Sequence, residues 1–252
     1  MKQLLAGAFL LWSTTMAFSQ FPPVPLELRG FADYAMSTDP SRAELERTVR
    51  GVDRAIAAEP NEAARTLLRA MRDFLVGFAV LGRGDTETAE ELFERTIEQA
   101  REANALRESS EGYRVVADAE NQLLDLRGTG YRLLSVGRAR RAAESAVALD
   151  PGNPLARIAA TAFHVNAPAI AGGDREAGLR HLEEARRLAG ESEYVRFLVF
   201  VWEGRVAVQD GRMAAAEKSF ARAHAIYPEN WWMRALAREA GVRLPDAGDT
   251  GR

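Results

Sequence analysis

Apolar residues recur at steps of three and four along most of the chain, and this spacing constrains the fold more than any other feature of the sequence. In one segment it places Leu67, Met71, Phe74 and Phe78 on a single face of a helix. No segment alternates between apolar and polar residues over a useful length, so the sequence predicts no β-strand. The expected fold class is all-α, and 47% apolar residues are enough to bury a core.

Capping and helix-breaking residues divide the region 41–241 into separate helices. Asp39 and Pro40 provide an N-cap and a first-turn proline, Pro60 ends the first helix, and Gly82 ends the second. Later helices are predicted over residues 112–127, 131–149, 153–165, 175–189, 192–209, 212–226 and 229–241. The connections between them are short, which favours packing of neighbouring helices in pairs.

Small and aromatic residues repeat at matching spacings in two of these pairs. Gly204 and Gly211 in one pair correspond to Gly77 and Gly84 in the other, with the same seven-residue step. The residues that follow are Ala216, Phe220, Ala223 and Pro228 in the first case, and Ala89, Phe93 and Ile97 in the second. Glycine and alanine let two helices approach closely, and we expect the phenylalanines to fill the gap toward the next unit.

This pattern resembles the tetratricopeptide repeat, a helix-turn-helix unit of about 34 residues. The resemblance implies antiparallel helix pairs that stack into an α-solenoid, a tetratricopeptide-like superhelix, over residues 41–241. Its last helix, over residues 229–241, would cover the end of the stack. The register fails between Ala100 and Thr129, where we expect a longer helix or an additional loop.

The stretch HVNAPAIAGGD, from His164 to Asp174, extends one turn of this pattern by seven residues. Free backbone amides after its glycines could bind an anion at the start of the next helix. The favoured interpretation is an elongated turn in which Gly172 and Gly173 adopt a positive φ and Asp174 caps the helix. We expect this turn to contact a partner at the edge of a groove, with no role in chemistry.

The two ends of the chain have a different composition. A lysine, a short apolar run and small residues are typical of a signal peptide over residues 1–19, and an uncleaved anchor is the less favoured alternative. A proline-rich stretch predicts an extended leader over residues 20–40, and the last residues predict a flexible tail over 242–252. Because the chain has no cysteine, we expect a periplasmic or secreted bacterial protein that is not a lipoprotein.

Charge and motifs argue against several classes of function. The formal net charge of -3 gives no bulk attraction to nucleic acid or to an anionic membrane. His164, His181 and His224 lack metal-binding spacing, so no metal and no other cofactor is expected. The sequence has no glycine-flanked nucleophilic serine and no phosphate-binding loop. We therefore predict no catalytic residues and no enzymatic activity.

The tetratricopeptide resemblance implies that the first helix of each pair lines a concave face that binds a peptide or protein segment. Transfer of the repeat's contact positions selects six candidate partner-binding residues, which are Phe74, Phe78, Phe163, His164, Val201 and Arg205. Most of this face is apolar, and some of its side chains could instead belong to the core. The resulting hypothesis is a non-enzymatic periplasmic scaffold for a protein or peptide partner in the cell envelope.

A second resemblance leaves another function open. The segment AGGDREAGLRHLEEA, from Ala171 to Ala185, is similar to the helical T component associated with TRAP transporters. This resemblance implies an exported protein that carries a small apolar ligand for its transporter partner. Many such components have an N-terminal lipoprotein cysteine, which this chain lacks.

Overall fold

The computed structural model describes residues 26–37 and 42–244, and within these ranges the secondary structure is entirely helical. The α-helices are α1 (Leu26–Ser37), α2 (Arg42–Ala57), α3 (Glu62–Gly82), α4 (Thr86–Leu106), α5 (Ser110–Leu126), α6 (Thr129–Leu149), α7 (Pro154–Asn166), α8 (Arg175–Leu188), α9 (Glu193–Gln209), α10 (Met213–Ile226) and α11 (Trp231–Glu239). A short 3-10 helix, Ala169–Ala171, lies between α7 and α8. The all-α prediction is confirmed for this part of the chain.

Local capping explains why the helices begin where the sequence predicts. The side chain of Asn61 accepts a hydrogen bond from the backbone N–H of Ala64 at the start of α3. Asp85 and Ser192 cap α4 and α9 in the same way. Each cap satisfies a backbone N–H that the helix itself cannot pair. The later helices therefore begin and end within two residues of the predicted bounds.

Helix length accounts for the failed register between Ala100 and Thr129. Helices α3, α4 and α6 each contain 21 residues, whereas α8 and α10 contain 14. Each helix of the α3/α4 pair is therefore about two turns longer than α8 or α10. The mismatch arises from longer helices, because only three residues separate α4 from α5.

Both predicted irregular ends are partly wrong. Helix α1 occupies most of the predicted leader, because Leu28, Phe31 and Ala35 share one helical face and are all buried. At the other end Val242 is buried, and its backbone N–H donates to the Ala237 oxygen across a left-handed Gly241. The predicted tail therefore begins later than residue 242. The predicted signal peptide and residues 245–252 lie outside the described residues.

The helices pack in a regular order. Each of the pairs α3/α4, α5/α6, α7/α8 and α9/α10 packs together, and α3, α5, α7 and α9 also contact one another in series. Helix α1 packs on α2 and α3. It also meets the other end of the chain, where the Tyr227 hydroxyl donates to Asp33 at 2.6 Å and the Asn230 amide donates to the Met36 oxygen at 2.9 Å. Helix α1 is therefore hydrogen-bonded to the residues that connect α10 to α11.

The paired glycines and phenylalanines of the repeat pattern lie in direct contact. A Cβ added at Gly204 would lie 3.0 Å from the Phe220 ring, and one added at Gly77 would lie 2.9 Å from the Phe93 ring. Both glycines thus allow close approach of the two helices in a pair, as predicted. Each phenylalanine packs against the glycine of its own pair, which differs from the predicted contact with the next unit.

Gly77→Ala is expected to lower the free energy of unfolding by about 1–2 kcal/mol, because overpacking against the buried Phe93 ring outweighs the better helix propensity of alanine. Gly51→Ala is the matched control, since it also lies within a helix but has nothing within 4 Å of the added Cβ. We expect that control to gain up to about 1 kcal/mol. Urea unfolding measures both, and equal stabilisation of the two variants would contradict the close contact.

Candidate functional site

A cavity of about 380 Å³, partly open to solvent, is lined mainly by the helices that contact one another in series. Helices α3, α5, α7 and α9 supply most of the wall, α1 and α11 contribute Met36 and Trp232, and α4, α8 and α10 contribute nothing. Six aromatic side chains contribute to the apolar part, namely Phe74, Phe78, Phe163, Tyr194, Trp202 and Trp232. The dimensions fall in the range of small-molecule sites, which are about 300–1,000 Å³.

The aromatic wall is continuous from α3 to α9. The ring centroids of Phe78 and Trp232 are 6.2 Å apart, and those of Trp232 and Trp202 are also 6.2 Å apart. The guanidinium of Arg205 lies 5.2 Å from the Trp202 ring, in the geometry of a cation–π contact. Through Trp232, α11 completes the wall that α3 and α9 begin, so the cavity depends on the contact between the two ends of the fold.

Four of the six sequence-predicted contact residues line this cavity: Phe74, Phe78, Phe163 and Arg205. Phe78 and Phe163 are also core residues, with 4% and 2% of their surfaces exposed. Val201 does not fit the prediction, because it is 0% exposed and packs within the core around α9. His164 lies apart from the cavity lining, and its ring stacks on His181 at 5.8 Å between α7 and α8.

The elongated turn between α7 and α8 forms part of the cavity wall. Pro168 and Ala171 line the cavity, whereas Ile170 points away and is 98% exposed. Gly172 has a φ of 87°, as predicted. Gly173 does not have a positive φ, and it is needed because an added Cβ would clash with the Ala167 carbonyl.

Asp174 caps α8 by accepting a hydrogen bond from the Ala177 N–H at 3.0 Å, as the sequence predicts. This bond is the main reason that the pKa of the Asp174 carboxyl is lowered. The Asp174 carboxylate therefore occupies the N-terminus of α8, where an anion would otherwise bind. The turn contributes to the cavity wall, and its last residue caps the next helix.

A buried ionic network reaches the cavity from α5. The Arg114 guanidinium donates to Glu111 at 2.9 Å and to Asp118 at 2.5 Å, and the Asn153 amide donates to Glu111 at 2.5 Å. Asp118 lines the cavity. Burial raises the pKa of its carboxyl to about 6, against the opposing effect of Arg114. The i,i+4 spacing of Arg114 and Asp118 signals their ion pair, but the sequence does not show that Asp118 faces a cavity.

Arg132, Asn121 and Arg205 are further polar residues on the cavity wall. Arg132 lies 4.0 Å from Asp125, and its Nε donates to the Leu124 oxygen at 2.6 Å. The side-chain nitrogen of Asn121 is buried and has no hydrogen-bond partner among the described residues. Arg205 has no carboxylate oxygen of a described residue within 4.0 Å, since none of the ion pairs includes it. The wall thus combines an aromatic surface with hydrogen-bond donors.

No family model matches the chain, and a search of curated proteins finds no similar sequence. The tetratricopeptide and T-component resemblances therefore stay predictions that rest on the residues quoted above. Within residues 26–37 and 42–244, no group of three or more histidine, cysteine, aspartate or glutamate side chains could hold a metal ion. No helix in the same ranges is long and apolar enough to cross a bilayer.

The stacked histidines give stability a dependence on pH. Burial, together with the nearby charges of Arg157, His164 and Arg180, lowers the pKa of His181 to about 4. Because the unfolded chain binds a proton near pH 6.5 and the folded chain does not, stability is lost as the pH falls from about 6.5 toward 4. The Arg157 guanidinium donates to His181 Nδ1 at 3.1 Å, which requires that nitrogen to be unprotonated.

Between pH 7 and pH 5, wild type is expected to lose about 1 kcal/mol more unfolding free energy than His181→Gln, after discounting for screening of a half-buried ring. Asp118 acts in the opposite direction, because its raised pKa adds stability as the pH falls through about 6. The contribution of Asp118 is the same in wild type and in His181→Gln, so it cancels when the two pH-dependent losses are subtracted. Urea unfolding at pH 7 and pH 5 measures the loss in each protein, and equal losses would contradict the neutral, buried state of His181.

Proposed function

We propose that the protein is a non-enzymatic carrier that binds a small apolar ligand in this partly open cavity. The observation that carries this proposal is the cavity of about 380 Å³ with six aromatic side chains on its wall. Pockets that enclose small ligands are concave and mostly apolar, with a few polar groups that fix orientation. The same function follows from the T-component resemblance of the Ala171–Ala185 segment, and export to the periplasm belongs to the proposal.

The proposal includes the stacked α-solenoid predicted from the repeat pattern. Its support is the serial contact of α3, α5, α7 and α9, which are the first helices of their pairs and which supply most of the cavity wall. A solenoid with an open concave face would suit the scaffold hypothesis and an extended peptide. Here Met36 of α1 and Trp232 of α11 take up part of that face. The remaining space favours a compact ligand over a long peptide.

The proposal is tested with 4-phenylbutanol as an uncharged probe, by calorimetric titration of the full chain. We expect saturable binding to wild type and at least a tenfold weaker affinity for Ala162→Phe, because the added ring takes up space on the cavity wall. Ala57→Phe, on the exposed end of α2, is the control and should bind like wild type. Absence of binding to wild type at millimolar probe, or equal binding to folded Ala162→Phe, would overturn the proposed function.

A further inference from the structure

The cavity wall carries an arginine, Arg205, that forms no close ion pair with a described residue. Arg205 lies on α9, its guanidinium covers the Trp202 ring at 5.2 Å, and no carboxylate oxygen of a described residue lies within 4.0 Å. A guanidinium that covers an aromatic face keeps the N–H donors in its own plane available for hydrogen bonds. Trp202 is 5% exposed and packs in the core, so the ring that Arg205 covers is held in place.

The acidic groups of the cavity are already paired. Asp118 accepts a hydrogen bond from Arg114 at 2.5 Å, and Arg114 also donates to Glu111 at 2.9 Å. Asp125 lies 4.0 Å from Arg132, whereas Arg205 acts on the Asp125 carboxyl only at longer range. The N–H donors of Arg205 are therefore not taken up by a carboxylate of a described residue. A carboxylate supplied by a ligand would accept hydrogen bonds from them.

A second polar group on the wall also lacks its partner. The side-chain nitrogen of Asn121 is buried without an acceptor among the described residues, and Asn121 lines the cavity. A buried donor without an acceptor costs about 1–3 kcal/mol, so an acceptor atom supplied by a ligand would be favourable. Arg205 and Asn121 lie on α9 and α5, two of the helices that line the cavity. The Asn121 amide and the Arg205 guanidinium can each donate a hydrogen bond to an acceptor atom of a ligand.

We infer that the ligand is an amphipathic monocarboxylate, whose carboxylate binds Arg205 and whose apolar body lies against the aromatic wall. This inference rests on the proposed function and specifies its ligand class. The planar fork of a guanidinium matches the two oxygens of a carboxylate. A phosphate monoester carries about −1.5 to −2 charges near neutral pH, and the Asp118 and Asp125 carboxylates on the same wall disfavour a second negative charge. An ammonium head beside Trp202 would be repelled by Arg205.

The test uses three probes that share one apolar body and differ only in the head group: 4-phenylbutyrate, 4-phenylbutanol and 4-phenylbutylammonium. Calorimetric titration of the full wild-type chain at low ionic strength gives each dissociation constant. We expect the carboxylate to bind at least tenfold more tightly than the alcohol, because it adds charge-assisted hydrogen bonds to the same apolar contacts. The ammonium should bind more weakly than the alcohol.

Variants assign the preference to one side chain. In Arg205→Gln the carboxylate is expected to lose at least tenfold in affinity, while the alcohol changes by less than threefold. Arg222→Gln is the matched control, because Arg222 also stacks on an aromatic ring, that of Phe200 at 3.8 Å, but is not part of the cavity lining. It should leave all three affinities unchanged. Near-native circular dichroism of both variants establishes that the comparison concerns binding.

The possible outcomes separate this inference from the proposed function. If all three probes bind wild type equally, or if the ammonium binds best, the cavity still accepts apolar ligands but the monocarboxylate inference is overturned. If the carboxylate preference survives in Arg205→Gln, Arg205 is not its anchor and the inference is overturned. If no probe binds wild type at millimolar concentration, both the ligand class and the carrier function are overturned.

Discussion

Glu120→Ala is expected to lower the free energy of unfolding by about 2–4 kcal/mol. The Glu120 carboxylate is 1% exposed and accepts hydrogen bonds from Arg101 at 3.1 Å, Arg138 at 2.8 Å and Tyr131 at 3.3 Å. Breaking a fully buried ion pair costs about 3–5 kcal/mol. The expected loss is somewhat smaller because Arg101 and Arg138 are 54% and 37% exposed and can regain water.

This carboxylate also connects the stability of the fold to the cavity. Arg101 lies on α4, whereas Tyr131 and Arg138 lie on α6, so Glu120 holds α5 between its two neighbours. Helix α5 in turn presents Asn121 and other polar residues to the cavity. Urea unfolding measures the loss. Glu176→Ala is the control, since that side chain is 90% exposed and 3.8 Å from Arg180, and should change stability by less than about 0.5 kcal/mol. A similarly small change in Glu120→Ala would contradict the role given to it.

Asn230→Ala is expected to lower the free energy of unfolding by about 2–3 kcal/mol. The Asn230 side chain caps α11 by accepting from the Met233 N–H at 2.9 Å, and its amide donates to the Met36 oxygen of α1 at 2.9 Å. Loss of a cap costs about 1 kcal/mol, and an unpaired buried carbonyl costs about 1–3 kcal/mol. Asn230 itself is 1% exposed, so water does not readily replace the lost amide.

Asn61→Ala separates the two roles of Asn230. Asn61 caps α3 through the Ala64 N–H at 2.9 Å and has no bond to a second helix among the described residues, so its loss should cost only about 1 kcal/mol. Hydrogen exchange gives a further distinction. In Asn230→Ala the amides of α1 should exchange faster than in wild type, and in Asn61→Ala they should not. Unchanged protection of α1 in Asn230→Ala would show that this bond does not hold the two ends together.

Features that depend on a few neighbouring residues could be predicted from the sequence. The cap at Asp174, the positive φ of Gly172 and the helix bounds follow from local hydrogen bonds and backbone sterics. The close approach at Gly77 and Gly204 followed from the repeated spacing of small residues and phenylalanine. Helix α1 carries the same kind of signal in Leu28 and Phe31, which are both buried, but the prolines before it favoured an extended leader.

Features that depend on distant contacts could not be predicted in the same way. The cavity needs Met36 and Trp232, from opposite ends of the described chain. The polar residues that α5 contributes to the cavity could not be predicted, because α5 lies in the segment where the repeat register fails. Val201 was misplaced because repeat positions assume one exposed face, whereas α9 is apolar on nearly all sides and buried, with Phe197, Val199 and Trp202 also in the core.

The proposal that the cavity holds a small apolar ligand is tested most directly by a crystal structure of the full chain saturated with 4-phenylbutanol. We expect electron density for the phenyl ring between Phe74, Leu198 and Trp232, within the cavity. An empty cavity at saturating probe, or density only on the outer helices α4, α8 and α10, would contradict it.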